Sequence, residues 1–284
     1  MLEARLLEAL LALLFGLVIG SFLNVCVYRL PQDLSVVRPR SYCPDCNHPI
    51  AWYDNVPLLS YALLRGRCRH CKAAISLRYP AVELLTGVLF FVVVWRLGLS
   101  AMALKYCILS ALLVGLTFSD LEARILPDEF TLGGTAIGLV LAWFLPVRDD
   151  IAQVLLWLAG VRTNAHWDSV ASAAVGAIIP GFFLWFGGWL YFKLRHREGL
   201  GLGDVKLVAM VGAFLGLYGA LLMLIAGSLA GSLIGFAYIK FAHKDAATYE
   251  LPFGTFLGLA GIVVSLAGPD VLQWLNWTVS PSVR

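Results

Sequence analysis

The sequence predicts an all-α polytopic membrane protein of about eight transmembrane helices, with a zinc-binding loop between the first two. Three observations predict it. The 284-residue chain is 60% hydrophobic and only 14% charged, with a mean hydropathy of +0.81, which leaves too little polar surface to cover a soluble globule of this size. Its apolar residues fall in long runs of the length that crosses a bilayer. Four of its six cysteines lie in one polar segment as two Cys-x-x-Cys pairs, a spacing that favours a metal site in a reducing compartment over a disulfide framework. The net charge of +3 says less than where the charges sit.

The first span is the 19-residue run from Ala9 to Val27, broken only by Ser21 and Asn24. It is longer than a signal-peptide core, and the mixed charges of Glu3, Arg5 and Glu8 before it do not make a basic leader, so it is read as a retained helix that ends at Pro31. From Arg29 to Arg78 the chain carries eight Lys/Arg against three Asp, a net of +5. Beside a span this marks a cytoplasmic loop. Within it Cys43, Cys46, Cys68 and Cys71, with 21 residues between the pairs, have the spacing of a four-thiolate structural zinc site. Such a site is closed to water and serves to fold a loop that has little core of its own. His48 and His70 are spare ligands. Cys26 and Cys107 read as apolar packing.

Two spans follow, from about Pro80 to Leu97 and Ser100 to Ser119, and the hairpin returns the chain to the cytoplasmic face at Asp120. Phe130 to Leu145 is a charge-free run of 16 residues, short for a span but usable beside tilted neighbours. Val147 to Asp168 carries a net of −1 and suits the outer face; inside it, Ile151 to Val161 reads as an interfacial helix. Ser169 to Phe192 is a clear span, followed by the cytoplasmic charges Lys193, Arg195 and Arg197. Leu207 to Ile239 has no charge in 33 residues, too long for one ordinary span, so it divides near Gly216-Leu217-Tyr218-Gly219. A last span runs from about Phe253 to Leu275. The expected domains are 1–28, the first transmembrane helix; 29–79, the zinc loop; and 80–284, a seven-helix core. No internal repeat is evident.

Two crossings separate Asp120 from Asp204, which places both on one membrane face. Carboxylates are costly there and need a reason. One reading is an intramembrane aspartyl protease: two facing carboxylates cannot both ionise cheaply, so one keeps a proton while the other activates a shared water, and peptide hydrolysis needs both. Gly201 and Gly203 permit tight backbone geometry beside Asp204. The competing readings are that both aspartates are helix N-caps, or that they relay protons in a transporter or serve a membrane assembly factor whose zinc loop binds a partner.

The motifs resemble those of a known family. Gly201-Leu202-Gly203-Asp204 followed by Lys206-Leu207, Asp120 six residues before Leu126-Pro127-Asp128, Gly20-Ser21-Phe22-Leu23-Asn24, Trp52-Tyr53-Asp54-Asn55-Val56-Pro57, Arg78-Tyr79-Pro80 and Val82-Glu83-Leu84-Leu85-Thr86 are similar to those of the type IV prepilin peptidases, bifunctional leader peptidases and N-methyltransferases. The resemblance implies that Asp120 and Asp204 are catalytic and Asp128 accessory. It implies cleavage of prepilins and pseudopilins after the Gly of a basic leader, at the cytoplasmic face of the bacterial inner membrane, then methylation of the new N-terminus by S-adenosylmethionine. The expected partners are those substrates and the lipid bilayer, with no nucleic acid. The resemblance places the methyltransferase in or near the Arg29 to Pro80 loop, although no Gly-x-Gly-x-x-Gly follows a strand. Glu83 either meets the cofactor or a basic substrate there or pairs with a nearby Arg. Thr255, in Leu251-Pro252-Phe253-Gly254-Thr255, stands where the resemblance leads one to expect proline and is expected to touch neither activity.

Overall fold

Long apolar runs with few helix breakers satisfy their backbone groups internally, as a bilayer demands, and they form helices throughout. The computed structural model describes residues 2–147, 152–154, 158, 160, 164–197, 201–241 and 252–279. The helices are α1 (Leu2–Arg29), the short α2 (Leu59–Leu63), α3 (Arg78–Leu97), α4 (Ala101–Ala123), α5 (Asp128–Phe144), α6 (Ala165–Arg195), α7 (Leu202–Phe241) and α8 (Phe253–Val279). Two isolated β-bridges occur among the described residues, both in the loop between α1 and α3.

Five of these helices are long and apolar enough to cross a membrane, while the apolar part of α8 is shorter and α5 has 17 residues. The chain is therefore a multi-pass membrane protein. α7 is broken at Gly216, whose φ of +76° and ψ of −175° are closed to other residues. With its halves counted separately, eight apolar helical segments are described, and the break falls where the 33-residue run was divided. The proposed interfacial helix of Ile151 to Val161 lies largely outside the described residues.

The chain divides into two compact units, Met1–Ser119 and Asp120–Arg284. In the first, α1 and α3 pack closely along each other. Where lipid is as apolar as the side chains, helices associate by close backbone approach at small residues, and a Cβ on Gly16 would stand 2.9 Å from Gly87 Cα and one on Gly20 2.7 Å from Glu83 Cα. Asn24 Nδ2 donates to the Tyr79 carbonyl at 3.0 Å across the same contact. Arg29, buried at the end of α1, donates to the Ser35 and Pro39 carbonyls at 2.9 and 2.8 Å and so fixes how the chain enters the loop.

In the second unit α7 is the central helix, packing against α5, α6 and α8. Its contact with α6 is backbone on backbone: a Cβ on Gly176 would come 2.5 Å from the Gly216 carbonyl carbon, and one on Gly212 would fall on the Gly176 carbonyl. Pro180 lies buried inside α6, where it removes one helical hydrogen bond. Ser169, near the start of α6, donates to the Ala142 carbonyl at 2.6 Å and accepts the Val147 N–H at 2.9 Å, closing the turn from α5.

Candidate active site and metal centre

Asp120 sits in the last turn of α4, which runs on through Leu121, Glu122 and Ala123, all tolerant of helix. The sequence-based reading ended this span at Ser119 and opened a new segment at Asp120; the helix instead continues for four residues. Asp204 is the third residue of α7. Neither aspartate is an N-cap, so that competing reading fails on position. The Gly201 N–H reaches the Asp204 carboxyl from the residue before α7, and Asp204 and Asp120 are near enough to interact electrostatically. Asp120 is 6% exposed.

Leu126 fills the space between the elements that carry these residues. A Cβ on Gly203 would lie 3.2 Å from Leu126 Cβ, and one on Gly254 would lie 3.0 Å from Leu126 Cδ1 and 3.0 Å from Asp120 Cγ. Glycine at 203 and 254 thus lets the starts of α7 and α8 close on the end of α4. The start of α8 brings a residue that sequence reasoning set aside: Thr255 donates to Asp120 Oδ2 through its backbone N–H at 2.6 Å and its hydroxyl at 2.8 Å. No residue near Thr255 in the sequence reports this contact with Asp120. Asp128, in the first turn of α5, accepts from Lys206 Nζ at 2.6 Å, tying the starts of α5 and α7 together.

The loop of the first unit is built from two superposable turns. In one, Cys43 N–H donates to the His48 carbonyl, Asn47 N–H to the Cys43 carbonyl and Ile50 N–H to the Ser41 carbonyl; in the other, Cys68 pairs with Ala73, Lys72 with Cys68 and Ile75 with Gly66 in the same order. Asn47 and Lys72 take matching left-handed conformations at φ +55° and +62°. The turns share Cys43 with Cys68, Cys46 with Cys71 and Ile50 with Ile75 at an offset of 25 residues, and otherwise match only in backbone hydrogen bonding. Each turn presents its two thiols on one side.

The sulfurs of Cys43, Cys46, Cys68 and Cys71 lie within 4.8 Å of one another, and Cys43 Sγ and Cys71 Sγ are 3.8 Å apart. A tetrahedral zinc with Zn–S bonds of about 2.3 Å has sulfur–sulfur edges of about 3.8 Å. The donor set and its spacing fit zinc. The Cys68 thiol is lowered to about 7, first by the Cys71 N–H and then by the His70 N–H, while burial raises the Cys43 thiol. The His48 and His70 rings meet at a 37° tilt with centroids 3.5 Å apart. Asp54 holds Arg69 by two hydrogen bonds of 2.6 and 2.7 Å, and that contact keeps the Asp54 carboxyl below its ordinary range.

Glu83 holds the foot of the same loop. It is 8% exposed and accepts the Leu58 N–H at 2.9 Å and the Ser21 hydroxyl. These partners clamp the loop to α1 and α3.

Fold and site together define a class: a multi-pass helical membrane protein with two carboxylates brought together at helix ends and a four-thiolate centre of the zinc type. Residues 14–97 match the Bacterial Peptidase A24 N-terminal domain and residues 107–236 the Type IV leader peptidase family. The chain is 36% identical to the Prepilin leader peptidase/N-methyltransferase of Aeromonas salmonicida over 298 residues, which cover 95% of this chain and 94% of that one. It is 33% identical to the protein of that name from Neisseria gonorrhoeae, covering 96% of each chain, and 43% identical to that of Myxococcus xanthus, covering 81% of this chain and 62% of the other. No solved structure matches it. The chain belongs to the type IV leader peptidase family.

Proposed function

We propose that this protein removes the leader peptides of type IV prepilins and pseudopilins with Asp120 and Asp204 as its catalytic pair, and then N-methylates the new N-terminus. The observation that carries the peptidase reading is the convergence of Asp120, at the end of α4, with Asp204, at the start of α7, around Leu126. A water held between them loses a proton to one carboxylate as its oxygen attacks the scissile carbonyl. The other carboxyl donates its proton to the carbonyl oxygen, and collapse of the tetrahedral species passes a proton to the leaving amine. Placing this chemistry at helix ends suits a substrate whose cleavage point adjoins a membrane helix.

The +5 loop supports placing the site and the zinc loop on the cytoplasmic side of a bacterial inner membrane. Zinc, held by Cys43, Cys46, Cys68 and Cys71, folds that loop and takes no part in hydrolysis, since four thiolates close its coordination.

S-adenosylmethionine supplies an electrophilic methyl group when bound. Two of the recesses among the described residues can be set against its chemistry. A groove of 420 Å³ beside α5, α6 and α7 is almost wholly apolar, and a recess of 350 Å³ lined by Pro39, Arg40, Tyr42, Asn47 and Pro49 offers no carboxylate for the ammonium or ribose hydroxyls. Neither fits, and the methyl-transfer activity rests on the family and on the names of the relatives. The test is mass spectrometry of a prepilin incubated with the purified protein in liposomes. Loss of the leader, plus one methyl group when S-adenosylmethionine is present, is the expected result; cleavage without methylation would leave a peptidase alone, and an intact substrate would overturn the reading.

A further inference from the structure

The two hydrogen bonds on Asp120 come from one residue and meet on one oxygen, Oδ2, at 2.6 Å from the Thr255 N–H and 2.8 Å from its hydroxyl. Thr255 is the third residue of α8, so its N–H is one of the first-turn donors that a helix cannot pair internally. α8 thus turns an unspent N–H, the positive end of its dipole and a hydroxyl towards the Asp120 carboxylate. The approach depends on Gly254, where a Cβ would crowd Asp120 Oδ2 at 3.2 Å. Thr255 is 7% exposed, and its hydroxyl gains a charged acceptor without competition from bulk water. Hydrogen bonds to a charged acceptor are shorter and stronger than neutral ones, and two on one oxygen fix the rotation of the carboxylate as well as its place.

Resting on the reading of Asp120 as one of the catalytic pair, we propose that Thr255 is a positioning residue that orients the Asp120 carboxylate towards the shared water. It makes no contact with substrate in this role. Its effect therefore falls on kcat and leaves KM in place, because a misaimed carboxylate still permits the substrate helix to bind.

Two kinds of substitution test the hydroxyl. Thr255→Val and Thr255→Ala remove the hydroxyl and keep the N–H. Thr255→Ser keeps both. With the full-length protein in liposomes and a purified prepilin, Thr255→Val and Thr255→Ala should each lower kcat about tenfold or more, with KM within about twofold of wild type. Thr255→Ser should stay within about threefold of wild type. Thermal unfolding in detergent identifies any variant that is lost to misfolding, and the second hydroxyl-free variant then carries the comparison. Wild-type kcat in a folded Thr255→Val or Thr255→Ala variant would overturn the proposal, as would a serine variant as slow as the valine one. Asp120→Asn is run beside them: if it retains cleavage the aspartyl reading itself fails, whereas an inactive Asp120→Asn beside a fully active Thr255→Val removes only the role of Thr255.

Discussion

The metal loop and the carboxylate site are held together by opposite means. The four thiols come from two local turns, each closed by hydrogen bonds between residues at most nine positions apart, and a bound metal would supply what the loop lacks in apolar core. The carboxylate site is assembled from α4, α7 and α8, with Thr255 bonded to a residue 135 positions away. Apart from the Gly201 N–H on Asp204, its contacts are long-range, made where glycines let helix ends meet. One region depends first on its four thiols, and the other is sensitive wherever backbone must approach backbone.

The comparison can be broken first at the metal. Structural zinc binding is worth on the order of 10 kcal/mol or more to a small site, so Cys43→Ser or Cys68→Ser should lower the zinc content of the purified protein from stoichiometric to near zero and open residues 30–77 to limited proteolysis. Stoichiometric zinc in both variants would contradict the four-thiolate centre. A smaller effect tests the other region. Gly212→Val places a side chain on the Gly176 carbonyl, and overpacking of this kind costs about 1–3 kcal/mol, or more where neither backbone can yield. A lowered Tm in detergent with zinc retained is the expected outcome, and an unchanged Tm would show that the α6–α7 contact is looser than described.

The same contrast explains what the sequence disclosed. The Cys-x-x-Cys pairs were legible because ligand spacing is a local code. The break at Gly216 was legible because 33 apolar residues exceed one span. Placing Asp120 and Asp204 on one face required only counting crossings. Thr255 was not legible, since nothing within a few residues of it reports a contact with α4. The contacts of Glu83 with Ser21 and Leu58 were not legible either, since those partners lie 62 and 25 positions away. The end of α4 was misplaced because hydropathy stops at Ser119 while the helix, favoured by Leu121 and Ala123, goes on.

The account stands on two aspartates acting as one unit. The direct test is the rate of leader removal from a purified prepilin by Asp120→Asn, Asp204→Asn and the double variant, each checked for wild-type thermal stability. Groups that act together are not additive. Each single variant should lose activity by about 10²–10⁴-fold, and the double variant should be no slower than either. Near-wild-type cleavage by either single variant, or losses that multiply in the double, would contradict the pair.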